Sequence, residues 1–178
     1  MKKGFSLAEL LIAMAIVFIL SLIIFPYYHT AQQQLSLQRS VNKLAQDIRR
    51  AQEMAMAAEE FEGSTPSGGY GIYLRRVPAS QSSYVLFADV SNNRKCDGCV
   101  SESGETIEKI SFESGIKIKS LNGNHLNIIF KPPDPEFYLR DNDDNDLGSQ
   151  VAIEICLIDD ISKTKTIFVN KAGLIYVE

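Results

Sequence analysis

Tryptophan is absent from these 178 residues, and only two histidines and three cysteines are present. Three cysteines cannot build a disulfide scaffold. His29 and His125 are too far apart to form a metal-binding motif between them. No glycine-rich phosphate loop and no nucleophile elbow occurs, so nothing in the pattern points to an enzyme. Six prolines and 11 glycines are ordinary usage and exclude a collagenous or low-complexity chain. Basic charge is not in excess either. With 18 Lys and Arg against 22 Asp and Glu the net charge is −4, which argues against a nucleic-acid partner held by phosphate neutralisation. The length fits one compact domain with an appendage. Long apolar runs are missing everywhere but one place.

That place is residues 10–25, LLIAMAIVFILSLIIF, in which there is no charge. Glu9 is the sole charge between Phe5 and Phe25. As a helix, residues 5–25 would span about 31 Å, which matches a hydrocarbon core of ~30 Å. Lys2 and Lys3 precede the run, and basic flanks stay cytoplasmic, so the rest of the chain is expected across the membrane. A cleaved secretory signal is disfavoured. The charged leader is very short, the apolar core is long, and Phe25-Pro26-Tyr27-Tyr28 follows where a small-residue cleavage site would stand. Glu9 is the anomaly, because a carboxylate within such a helix costs roughly 2.5–3.5 kcal/mol. Nothing else in the segment is expected to pair with it. A partner is therefore expected from another chain, or from an amine made by cleavage nearby.

The stretch Lys3-Gly4-Phe5-Ser6-Leu7-Ala8-Glu9-Leu10-Leu11 resembles the type III leader of type IV pilins and type II secretion pseudopilins. The resemblance implies cleavage after Gly4 by a prepilin peptidase and methylation of the new N-terminal Phe5. It implies assembly with other pilin or pseudopilin subunits on an inner-membrane platform. Glu9 would meet the N-terminal ammonium of a neighbouring subunit, a buried charge pair of the kind that can select register. Pro26 matches a family proline associated with local melting of the helix in the filament, and a proline removes one helical hydrogen bond. A bend or break is therefore expected within residues 22–26.

Beyond Pro26 the pattern stays helical. Leu37, Val41, Leu44, Ile48, Ala51, Ala55 and Ala58 recur at spacings of four and three, one apolar stripe. With no Gly or Pro until Gly63, the helix is expected to run to about Glu60. The small residues of the stripe suit packing on a sheet better than a coiled-coil seam. After a loop around residues 62–69 the period becomes that of strands, expected at 70–75, 84–90, 106–112, 116–121, 126–130, 151–158, 166–169 and 174–177. Turn signals separate them at Asn122-Gly123-Asn124, Pro132-Pro133 and Lys171-Ala172-Gly173. The expected class is α+β: a long N-terminal helix packed on an antiparallel sheet or pair of sheets. The segments are a leader at 1–4, a transmembrane or filament-core helix at 5–26, an amphipathic helix at 27–61 and a β-rich body at 62–178. This plan is similar to the minor pseudopilin group called type H.

Two further features carry chemistry. Cys96-Asp97-Gly98-Cys99 lies in an Asn- and Asp-rich loop between strands, away from a helix start, so a small structural disulfide is favoured over redox chemistry. Free thiols are the alternative, and Cys156 is expected to be unpaired unless it joins one of the two. Asp89, Ser91, Asn93 and Asp97 stand at positions 1, 3, 5 and 9 of an EF-hand-like loop. Arg94 replaces its glycine, and Val100 stands where the last glutamate would be, with Glu102 or Glu105 nearby. Asp141, Asp143, Asp144 and Asp146 crowd a second loop, where repulsion motivates a cation. Either loop could take calcium, the plain alternative being a solvated charge run. The function expected is a prepilin-type filament subunit, minor pilin or pseudopilin, held in the cytoplasmic membrane with its body periplasmic or extracellular. The alternative is a singly anchored extracytoplasmic binding module.

Overall fold

The computed structural model describes Gly4 and residues 6–76, 82–99, 104–132 and 136–178, with the backbone alone for residues 23–27 and 29. Met1–Lys3 and Phe5 lie outside the described residues. So do Val100, Glu102 and Pro133. Two compact units make up the chain, Met1–Leu35 and Ser36–Glu178.

In the first unit, helix α1 (Leu7–Met56) begins with apolar residues on every side. Leu10, Ile12, Phe18 and Leu22 are 56–66% exposed. A helix this apolar all round has no face of its own to turn to water. The Ser21 hydroxyl donates to the Val17 carbonyl at 2.8 Å, so the one polar side chain of the run is satisfied on the helix itself. Among the described residues no helix is long and apolar enough to cross a membrane. The described apolar side chains stop at Leu22, and residues 7–22 would cover only about 24 Å. Through Pro26 the helix is continuous, so of the bend or break expected within residues 22–26 a break does not occur here. The physical reason is that proline withholds one amide donor while the flanking peptide groups keep theirs.

In the second unit the stripe of α1 is core. Leu37, Val41, Leu44, Ile48, Ala51 and Ala55 are each no more than 4% exposed. Ala58 is not part of it, because the helix ends at Met56. The Glu59 amide donates to the Met54 carbonyl and the Ala58 amide to that of Ala55. This is a Schellman cap, with Ala58 at the left-handed position that glycine usually fills, at φ 49°. An alanine there carries the strain of its Cβ, which glycine lacks. Ala58→Gly is expected to raise stability by ~0.5–1 kcal/mol, read as a higher urea midpoint.

Nine strands follow among the described residues: β1 (Gly69–Arg75), β2 (Ser83–Asp89), β3 (Thr106–Ser111), β4 (Ile116–Ser120), β5 (His125–Lys131), β6 (Glu136–Arg140), β7 (Gln150–Leu157), β8 (Thr164–Asn170) and β9 (Ile175–Val177). They form two antiparallel sheets, in the orders β3-β2-β1-β5-β6 and β4-β7-β8-β9. Alternate residues of both sheets, such as Ile72, Leu86 and Ile128 in one and Ile153, Ile155 and Ile167 in the other, join the helix stripe in a single core. Polar groups tie the helix to the sheets as well. The Tyr84 hydroxyl donates to Asp47 at 2.5 Å, and Ser40, itself buried, accepts the Glu113 amide at 3.2 Å. Burial and the Asp47 carboxylate push the Tyr84 phenol well above its ordinary value, so it stays a donor.

Strand β6 was not among the eight expected. Three prolines at 132, 133 and 135 precede it and an acidic run follows, a setting that reads as loop. As an edge strand it pairs on one side only, with β5. The outer face of the five-stranded sheet is also apolar. Tyr73, Val85, Phe87 and Ile129 pack there with Cys99 in a second cluster. A Cβ on Gly71 would come within 2.5 Å of the Ile128 carbonyl oxygen and 2.8 Å of the Phe87 ring, so the ring occupies that glycine's missing side chain.

Candidate functional site: the helix start and its companion loops

Ser6 and Glu9 form a reciprocal pair at the start of α1. The Ser6 amide donates to Glu9 Oε2 at 3.0 Å, and the Glu9 amide donates to Ser6 Oγ at 3.2 Å. This is a capping box, which satisfies two of the amides that a helix start leaves without a partner. The expectation that nothing within the segment could pair with Glu9 is therefore corrected. The carboxylate has a hydrogen-bonding partner three residues away and sits at the helix end whose dipole favours negative charge. Among the described residues it has no countercharge there. Ser6 was overlooked although its signal was present, a Ser-x-x-Glu pattern immediately before an apolar run. Gly4 is described and exposed, whereas Phe5, the residue expected to bear the methyl group, lies outside the described residues.

The loop after β2 is organised from inside by two buried carboxylates. Asp89 is fully buried and Glu105 is 6% exposed. Asp89 accepts the amides of Asn93 (3.1 Å) and Arg94 (2.9 Å) and the Ser91 hydroxyl (3.3 Å). Glu105 accepts the amides of Ser91 and Asp97, each at 2.9 Å. Asp97 takes the Asn93 side-chain amide at 2.7 Å and shares with Asp89 the single Ser91 hydroxyl hydrogen, the oxygen lying 3.3 Å from each carboxylate. So Asp89, Ser91, Asn93 and Asp97 do come together. Their oxygens already serve N–H and O–H donors within the loop, and a cation would have to replace those bonds. Burial pushes the Asp89 carboxyl up and the Glu105 charge adds to the rise, while the Arg94 and Asn93 amides oppose it.

Cys96 and Cys99 are joined in a disulfide, their Cα atoms 5.7 Å apart. Cys99 packs on Phe87 and Ile129, so the bridge fastens the loop over the outer face of the sheet. Cys156 is buried and free. Asn127, fully buried on β5, accepts the Cys96 amide at 3.2 Å and donates to the Asp141 carbonyl at 3.4 Å. Thus one side chain connects the two acidic loops.

In the second loop the crowded carboxylates are answered from within the chain. Asp144 is paired with Arg140 at 3.2 Å and Asp146 with Lys171 at 2.6 Å. Asp141 accepts the amides of Asp143 and Asn145 and the Asn145 side chain. Those bonds hold Asp141 below the usual carboxylate range, as the Lys171 bond holds Asp146. Among the described residues no three His, Cys, Asp or Glu side chains converge as a metal site would require.

His125, at the start of β5, meets the Tyr73 hydroxyl through Nδ1 at 2.8 Å. Burial and then the Arg75 charge lower its pKa from 6.5, against the pull of Asp143 and Asp141. The unfolded chain therefore takes up this proton more readily, and stability is lost as pH falls through 6.5 towards the lower folded value. His125→Gln is expected to lose less stability than the parent chain over that window, measured as urea midpoints on its two sides.

The prokaryotic N-terminal methylation motif matches residues 1–25. Among solved structures, the type IV minor pilin FimU of Pseudomonas aeruginosa strain PAO1 is similar in two crystal forms. One is 13% identical with a TM-score of 0.48, covering 80% of this chain and 87% of that one. The other is 14% identical with a TM-score of 0.45, covering 80% and 92%. No curated protein matches the sequence. The cationic leader, Gly4-Phe5, the capped Glu9 and the apolar helix behind it thus belong to one recognised element, and this chain carries the prokaryotic N-terminal methylation motif.

Proposed function

We propose that the chain is a prepilin-type filament subunit, a minor pilin or pseudopilin of a type IV pilus or type II secretion-like system. The observation that carries this is the methylation motif over residues 1–25, leading directly into a helix exposed and apolar all round. A soluble domain has no use for such a helix, whereas a membrane and then a filament core each supply the surroundings it lacks. In this reading the chain enters the cytoplasmic membrane with Lys2 and Lys3 inside. A prepilin peptidase cuts after Gly4 and the new amine of Phe5 is methylated. An inner-membrane assembly platform then draws the helix into a bundle of like helices, with the β body outside. Glu9 takes the neighbour's ammonium as its countercharge.

The test is cleavage itself. A Cβ on Gly4 would meet nothing within 4 Å, so the chain itself has room for a larger residue there. Gly4→Val is expected to accumulate in the membrane with Met1–Gly4 attached, read by intact mass, while the parent chain is cut. Equal processing of both chains contradicts the proposal.

A further inference from the structure

We propose that a small cavity on the outer face of the five-stranded sheet binds a small oxyanion, a carboxylate or a phosphoryl group, through the Arg75 guanidinium. The cavity has a volume of about 70 Å³ and is lined by Tyr73, Arg75, Ser83, Val85, Cys99 and Lys109. That is roughly five times the ~10–15 Å³ that one water needs. Strand alternation explains why these side chains meet. Tyr73 and Arg75 stand two apart on β1, Ser83 and Val85 two apart on β2, and the register sets Val85 beside both Tyr73 and Lys109. Three strands thus turn two cationic residues and a hydroxyl to one side, beside the apolar cluster of that face. Tyr73, Val85 and Cys99 are each no more than 5% exposed, and the disulfide to Cys96 fixes the Cys99 wall.

Two observations point to an anion. Arg75 Nε is buried and has no hydrogen-bond partner among the described residues. Native chains seldom leave such a donor without an acceptor, because its lost hydration is not repaid. The charge is one-sided as well. None of the described residues lining the cavity is acidic, in a chain whose net charge is −4. An oxyanion answers both features at once. A guanidinium presents its Nε–H beside an Nη–H, a fork that matches two oxygens of a carboxylate or phosphate. The Ser83 hydroxyl supplies a further donor, and Lys109 a second positive charge at closer to apolar than aqueous dielectric. Water alone would satisfy the Nε–H and leave the charge unanswered, so water and anion predict different responses to added anion.

The experiment titrates inorganic phosphate into the full chain in detergent at constant ionic strength, by calorimetry, with urea midpoints measured on the same samples. The parent chain is expected to bind a single phosphate saturably. Arg75→Gln is expected to weaken that binding about ten-fold or more, the fold-change of one lost charged hydrogen bond. Arg76→Gln removes the same charge from the next position, which is exposed, bonds to Asn124 and does not line the cavity. It is expected to bind as the parent does. Without phosphate the Arg75→Gln midpoint is expected to equal the parent's, because Nε has no bond to lose, and with phosphate only the parent and Arg76→Gln should rise. Acetate in place of phosphate separates the two sources of the chemistry. Binding of both anions assigns the site to carboxylates as well, and binding of phosphate alone assigns it to phosphoryl groups. Failure of the parent to bind either anion saturably overturns the proposal, as does equal binding by Arg75→Gln. A midpoint lowered by Arg75→Gln to the same extent with and without phosphate would make Arg75 a structural residue alone, and overturns it too.

Discussion

Glu9→Ala is expected to insert and be cleaved normally and to enter filaments about a hundredfold less than the parent chain. The magnitude follows from the environment. Removing one partner of a buried charge pair leaves the other uncompensated, typically at ~3–5 kcal/mol, and ~1.4 kcal/mol is a factor of ten. In the single chain the same substitution removes one hydrogen bond, from the Ser6 amide. Such a bond is worth only about 1 kcal/mol net at an exposed helix start. The asymmetry between these two costs is what the measurement reads. Membrane insertion and processing report on the single chain, and the incorporated fraction reports on the assembly. A large loss in both would mean that Glu9 serves the chain before assembly, and a small loss in both would leave it without the proposed countercharge.

Asp89→Ala is expected to destabilise the body by about 3–5 kcal/mol. Asp89 is fully buried and accepts from two amides and a hydroxyl. Truncation would leave the Asn93 and Arg94 amides without their acceptor in a loop that covers Phe87 and Ile129. Each buried donor left unsatisfied costs ~1–3 kcal/mol. The check is the urea midpoint of the full chain in detergent, followed through a probe in the sheets. A change below about 1 kcal/mol would mean that water replaces the carboxylate and that the loop opens freely. The substitution also separates Asp89 from the other acidic residues. Asp143 is exposed on the second loop, and a single change there is expected to fall within the ordinary surface range of ~0.5 kcal/mol.

Much of this architecture was legible because it is local. The stripe from Leu37 to Ala55 needs only a 3.6-residue period, and Val151, Ile153 and Ile155 need only alternation. The helix end was misplaced because the chain uses Ala58 where a glycine would have signalled the stop. Strand β6 escaped because its prolines speak for a loop, while its pairing with β5 depends on what the rest of the sheet offers. The order of strands is a matter of long-range packing and left no local trace.

The candidate site divides in the same way. The leader and Glu9 were readable as a pattern, and Ser6 was equally readable as a cap. The acidic loops were not. At Asp89 and Glu105 the charges turn inward to serve backbone amides, which no count of carboxylates reveals. At Asp144 and Asp146 the countercharges are Arg140 and Lys171, the second arriving from the far end of β8. Asn127, which joins the two loops, is a polar residue within an apolar strand and carries no local signal of that role.

The most direct test of the filament reading is the intact mass and N-terminal peptide of the protein recovered from sheared filaments of its native host. The account predicts a chain that begins at N-methylated Phe5, present in the filament fraction. A chain that retains Met1–Gly4 and stays wholly in the membrane fraction would contradict it.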